Sequence, residues 1–288
     1  MNTKKVGVLR GGSLHTEKSL LLGKKLATLL SDTVTVVDLL VDVDGQLYMG
    51  GKPLIPVMVD HFVDSIIDLT YNIPTTLIAT FRGLGVQTMA LSDMEQALFT
   101  NRALMQKYLT PYEINFPYAV TTHIPLGHSV SAVVSAVHKT LPPPWRVWDG
   151  IKWHSTKTNA ELHSMLDNAP RDTDLYIQER PLGHRVEILA IRNFRTHDIY
   201  ISISVTTTGK LVPLSVHYKE IINKELTKIM HLFKHADSVL ASYIIKEGKH
   251  PMLASLDHAH LIDDNTVVSA IREQSGITYE EIRRWYIK

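Results

Sequence analysis

The chain has no cysteine, which excludes disulfides, thiolate zinc sites and cysteine nucleophiles together. It has no excess of either charge, since 30 Lys+Arg stand against 29 Asp+Glu. No global field therefore recruits nucleic acid or an acidic membrane, and neither is expected as a partner. No apolar run approaches the ~20 residues needed to span a bilayer. The opening "MNTKK" runs straight into a strand-like segment, without the apolar stretch and cleavage site of a leader. These absences predict a soluble cytoplasmic protein. Internal repeats and low-complexity segments are also missing.

What is present is an ordinary globular composition, 44% apolar and 20% charged over 288 residues, long enough for two or three layered lobes. "KVGVLRGG" reads as a strand ending in Gly11-Gly12, and Glu17 to Leu30 carries leucines at helical spacing. "TVTVVDLLVD" is a second strand, and "DGQLYMGGKPL" a hairpin with an Asp-Gly turn. "VDHFVDSIIDL" reads as an amphipathic helix and "GVQTMAL" as another strand. Strands alternating with helices predict an α/β lobe with a parallel sheet over residues 1–92.

A central small lobe is expected over 93–172. It opens on a helix capped by Ser92 and Asp93 and running to about Tyr108. It then contains the helix "HSVSAVVSAVHK", ended by Pro142-Pro143-Pro144, and two short strands in "WRVWDGIKWHST". A C-terminal α+β lobe is expected over 173–288. Three consecutive strands from Asp174 read as an antiparallel meander. A long helix follows from about Lys219 to Leu240, then two strands ("SYIIKEG", "PMLASL") and two closing helices.

The order of these segments resembles D-alanine–D-alanine ligase of the ATP-grasp superfamily over nearly the whole chain. "GG" followed by "EKSLLLGKKLATLL" looks like that family's GG…E-V-S-L…SG opening, and "SDMEQALFTNRALMQKYL" is similar to its "MDKALTKRLL" helix. "YIQERPLGHRVEILAI" and "GKHPMLASLDH" resemble two of its later strands. The resemblance implies an α/β plus α+β chain: an ATP-grasp fold preceded by a Rossmann-like lobe. It also implies peptidoglycan-related ancestry and a homodimer joined through the N-terminal lobe.

That family joins two D-alanines using ATP and magnesium. Polyphosphate needs cations and backbone amides, and magnesium needs hard oxygen ligands, chiefly carboxylates. At the matching positions most of these are replaced. The phosphate-binding lysines fall on Gln96 and near Arg146 to Asp149, and the glycine-serine loop is replaced by "GIKWHS", where Gly150 and Lys152 remain. The metal-binding aspartate falls on Ser242 and the bridging glutamate on Ser255, leaving Asp257 at the place of an asparagine. Gln178 and Glu179 sit where the family contacts adenine. The ribose glutamate falls on Arg185, with Glu187 two residues on and on the same strand face. Gly12, Glu17 and Ser19 match residues that hold the first D-alanine. The equivalent of the family's mobile loop is missing before Lys219, as is a substrate segment after "DLTYN".

Other constellations are weaker. His231 and His235 are four apart, and His258 and His260 alternate; such spacing can bind zinc, but no carboxylate pattern accompanies either pair, so solvated or core histidines are expected. Trp145, Trp148 and Trp153 are expected to fill the space of the replaced phosphate loop. Besides a purely structural subunit that dimerises through the N-terminal lobe, two functional readings stay open. One is a degenerate homologue without the ligation chemistry or cofactors, which binds a protein partner or a small amino acid near Glu17. The other is an active carboxylate–amine ligase with relocated site residues, for which ATP and Mg2+ would be the cofactors.

Overall fold

A computed structural model describes residues 4–13, 15–70, 75–127, 129–149, 152–172, 174–193 and 196–287. Gly150 and residues 71–74, on which two of the sequence comparisons fall, lie outside the described residues.

The N-terminal lobe consists of β1 (Lys5–Gly11), α1 (Thr16–Leu30), β2 (Thr35–Val41), β3 (Leu47–Met49), β4 (Lys52–Pro53), β5 (Ser65–Asp68), α2 (Thr75–Gly83) and β6 (Gln87–Met89). Its strands lie in the order β4-β3-β2-β1-β5-β6. Strand β1 is central and pairs in parallel with β2 on one side and β5 on the other. The chain turns sharply after β1 because only glycine fits there. Gly11 has φ 99°, and a Cβ on it would stand 2.2 Å from the Val41 carbonyl oxygen. The Gly12 amide then donates to that same oxygen at 2.9 Å.

The segment read as the helix "VDHFVDSIIDL" is not one helix. Pro56–His61 forms a 3-10 turn, and the chain then enters β5, whose Ser65, Ile66 and Ile67 are buried. A parallel strand covered on both faces has no polar alternation, so its apolar run passes for a helix face.

Two short helices follow, α3 (Asp93–Thr100) and α4 (Arg102–Leu109). A capping box of Ser92 and Glu95 starts the first, and the Asn101 side chain caps the second. Their apolar residues Leu98, Phe99, Met105 and Leu109 are buried in the core of the C-terminal lobe.

The small sheet contains β7 (Ala119–His123), β8 (Trp145–Trp148), β9 (Trp153–Thr156) and β10 (Asp174–Glu179) in the order β7-β10-β8-β9, with α5 (Val130–Thr140) and α6 (Asn159–Asp167) on one face. Strand β10 pairs with β7 and β8. It therefore belongs to this sheet, and the meander expected from Asp174 begins one strand later.

The C-terminal sheet has the order β12-β11-β13-β14, from β11 (His184–Arg192), β12 (Ile199–Ile201), β13 (Ser238–Ile245) and β14 (Met252–His258). Helix α7 (Val216–Leu232) covers one face, ending well before Leu240, which lies in β13. Helices α8 (Thr266–Gln274) and α9 (Tyr279–Tyr286) close the chain. Ile271, Ile282 and Tyr286 share one apolar cluster with Leu22, Leu26 and Leu30 of α1, so the chain's two ends are packed together. Among the described residues no helix is long and apolar enough to cross a membrane.

Candidate functional site

Polar groups concentrate in a cleft between the small sheet and the C-terminal sheet, and this cleft opens into a cavity against the N-terminal lobe; Arg102, Trp148, Trp153 and Asp257 border both. Strand periodicity builds the cleft. On β8, Trp145 and Val147 face α5 and α6, while Arg146 and Trp148 face the other way. Their cross-strand partners Gln178 and Tyr176 on β10 share that second face. From the opposing sheet, Glu187 lies across from Ser242, which in turn lies across from Ser255.

This cleft is filled by its own side chains. The Arg102 guanidinium lies 4.5 Å from the Trp148 ring centroid, and the Arg146 guanidinium 4.2 Å from that of Trp153. The two indoles approach to 5.6 Å, and Trp153 meets Tyr176 at 6.0 Å. Trp145, expected to join them, is instead fully buried under the sheet, with its Nε1 donating to the Leu141 carbonyl at 3.1 Å. Arg146 is buried and its Nη1 has no hydrogen-bond partner among the described residues. Burial and the neighbouring Arg185 pull this guanidinium down to about 9.

The carboxylates of the cleft are neutralised. Arg102 donates to the Leu256 carbonyl and to Asp257. Arg185 Nε donates to Glu187 at 2.8 Å, and its Nη2 donates to Ser242 Oγ at 2.7 Å. The Ser242 hydroxyl in turn donates to Glu187 Oε2. Burial raises the Glu187 carboxyl above the ordinary range in spite of the Arg185 charge and the Ser242 hydrogen bond. Magnesium requires an octahedron of hard oxygens rich in free carboxylate. Two serines, one arginine-bound glutamate and one arginine-bound aspartate do not fit that ion.

The other residues matched by resemblance have local partners. Gln178 is buried beside Tyr176, and Glu179 accepts from the Tyr118 amide at 3.0 Å. Ser19 is buried and accepts from the Gly11 amide at 2.8 Å, so it fastens the β1–α1 turn. Glu17 points to solvent. Its neighbour Lys18 lines the cavity instead and pairs with Asp263 at 2.7 Å. Sequence reasoning missed Lys18 and Arg102, which look like ordinary surface helix cations in one dimension.

The cavity measures about 390 Å³. It lies beyond the carboxyl ends of β1, β5 and β6, where the sheet order reverses about β1 and open α/β sheets place their ligands. Lys18, Arg102 and Lys152 bring positive charge to its wall, and Asp68, Asp237 and Asp257 bring negative charge. Burial pushes the Asp68 carboxyl up to about 6, against two hydrogen bonds from Thr70. The folded state thus holds a proton on Asp68 that the unfolded chain has lost, and stability falls as pH rises through the window from about 4 to about 6. Asp68→Asn is expected to exceed the wild type in stability by about 1–3 kcal/mol at neutral pH, with the gap closing below about pH 4. Urea melts across that range check it.

Of the histidines, His231 bonds its own helix at Thr227, and His235 pairs with Glu95 at 3.1 Å, so they do not meet. His258 and His260 do meet, and a carboxylate joins them: Asp237, at 2.8 Å from His258 Nε2.

No protein-family model matches the chain, and no curated protein matches it. Solved structures do match. D-alanyl-alanine synthetase A from Vibrio cholerae superposes with a TM-score of 0.77 at 12% identity, covering 99% of this chain and 98% of that one. D-alanine–D-alanine ligase from Bacillus anthracis complexed with ATP gives 0.75 at 14% identity, with 99% and 95% covered. A D-Ala:D-Ser ligase from Enterococcus faecalis gives 0.72 at 12% identity, with 98% and 99% covered. The chain therefore has the ATP-grasp fold of D-alanine–D-alanine ligases from end to end.

Proposed function

We propose that this chain keeps the ligase fold as a binding protein and does not carry out ATP- and magnesium-dependent ligation. The observation that carries the reading is the pair of arginine locks: Arg102 on Asp257 and Arg185 on Glu187, with Ser242 and Ser255 where the resemblance puts metal carboxylates. In each pair an incoming cation would have to displace an arginine that the carboxylate already holds, so these carboxylates are poor ligands for it. The ligand site is then the cavity beside β1 and β5. Its mixed charges suit a small zwitterion such as an amino acid, and its volume of about 390 Å³ is ample for one.

A second reading, an active carboxylate–amine ligase with relocated ligands, draws on Glu187, a buried carboxylate directly across from Ser242. An ADP-release assay with Mg-ATP and a panel of D- and L-amino acids separates the two. The binding-protein reading expects no ADP above the enzyme-free rate. Amino-acid-stimulated release that disappears in Asp257→Ala would establish the ligase. A cytosolic homodimer through the N-terminal lobe is part of the same proposal, and light scattering on the purified chain reads its assembly.

A further inference from the structure

Beside the arginine-filled cleft, three metal-ligating side chains converge where β13 begins and β14 ends. Asp237 immediately precedes β13, His258 closes β14, and His260 lies two residues beyond. Strand register causes the meeting. Val239 pairs with His258, and the Ala259 amide donates to the Ser238 carbonyl at 3.3 Å, so the ladder carried outward brings Asp237 beside His260. One ligating atom from each of the three lies within 4.8 Å of the others. The imidazoles stand edge to face, with centroids 4.6 Å apart.

The surroundings are those of a coordination site. Asp237 is buried and anchored from outside the cluster: the Ser238 amide donates to Oδ1 at 2.8 Å and the Tyr286 hydroxyl donates to Oδ2 at 3.0 Å. Outer hydrogen bonds of this kind fix a ligating carboxylate in position. Ligand atoms around a tetrahedral zinc stand on the order of 3.4 Å apart, the same scale as the separations in this cluster. One side is open, because Asp237, His258 and Tyr286 line the interlobe cavity, as does Asp68.

We propose that Asp237, His258 and His260 form a divalent transition-metal site whose open coordination positions face the interlobe cavity. Two imidazoles and one carboxylate suit zinc, cobalt or ferrous iron and disfavour magnesium. The ion would anchor a carboxylate or other anionic group of the cavity's ligand. The inference does not rest on the binding-protein reading, because none of the three residues belongs to the arginine-locked set.

The test uses the untagged full-length chain, stripped with chelator and then loaded separately with Zn2+ and Co2+. The expected result is one zinc per chain after gel filtration. Co2+ should give ligand-field bands of a protein-bound ion that added Zn2+ abolishes and excess Mg2+ leaves unchanged. His258→Gln and His260→Gln should each weaken Zn2+ binding by more than about 100-fold, with circular dichroism confirming the fold. Because His260 is buried and its variant is at risk of misfolding, the wild-type cobalt spectrum is decisive by itself. No stoichiometric uptake by the wild type, or uptake unchanged in both folded variants, overturns the site.

Discussion

Replacing Phe233 with alanine is expected to destabilise the chain by about 3–5 kcal/mol, the range for removing a fully buried aromatic. Phe233 ends α7, is completely buried, and packs against Phe99 of α3 at 5.0 Å and Tyr108 of α4 at 6.2 Å between ring centroids. The side chain thereby ties both linking helices to the C-terminal core. Its main chain is fixed as well, the amide to Ile229 and the carbonyl by Arg192, so little collapse into the vacated space is expected. Urea melts followed by tryptophan fluorescence and by far-ultraviolet circular dichroism measure the loss. Coincident transitions would justify a single free energy. A loss below about 1 kcal/mol would mean that α3 and α4 are not packed as described.

Arg102→Met is expected to cost about 2–4 kcal/mol, nearly as much for a different reason. The guanidinium serves the Leu256 carbonyl, the Asp257 carboxylate and the Trp148 ring at once. Methionine keeps some packing volume but leaves a strand carbonyl without its donor and a carboxylate without its cation. The loss stays below the full cost of breaking a buried pair because the Asp257 side chain is 43% exposed and water screens it. A double-mutant cycle with Asp257→Asn isolates the pair. A coupling of about 1 kcal/mol or more is expected, and additivity would show that Arg102 stabilises through stacking alone.

How much of this was legible in one dimension depended on whether the deciding contacts were local. The glycine turn after β1, the Ser92 cap of α3 and the Asp44-Gly45 turn are signals within a few residues, and the structure has each of them, although that turn joins β2 to β3 and the β3–β4 hairpin turns at Gly50-Gly51. The ATP-grasp fold itself was implied by the resemblance of several segments, in order, to a known family. The helix read through Leu240 was too long because Phe233, Ala236 and Leu240 continue the helical spacing. Phe233, however, leaves the helical conformation at ψ 74°, and β13 follows within five residues. Pairing of β10 with β7, across more than 40 residues, has no local mark.

The same limit applies to the site. Losses at Ser242 and Ser255 were readable by position, but the arginine locks were not. Arg102 reaches Asp257 across 155 positions, and nothing near Arg102 announces it. Asp237 is a single acid 21 residues before His258. Only drawing the β13–β14 register would have placed it beside the alternating histidines and supplied the carboxylate that their spacing lacked.

Isothermal titration of the purified chain with Mg-ATP tests the central claim most directly, since it asks whether the arginine- and tryptophan-filled cleft still admits a nucleotide. The account predicts no saturable heat up to millimolar Mg-ATP, for wild type and for Asp257→Ala alike. Micromolar, one-to-one binding that requires magnesium would contradict it.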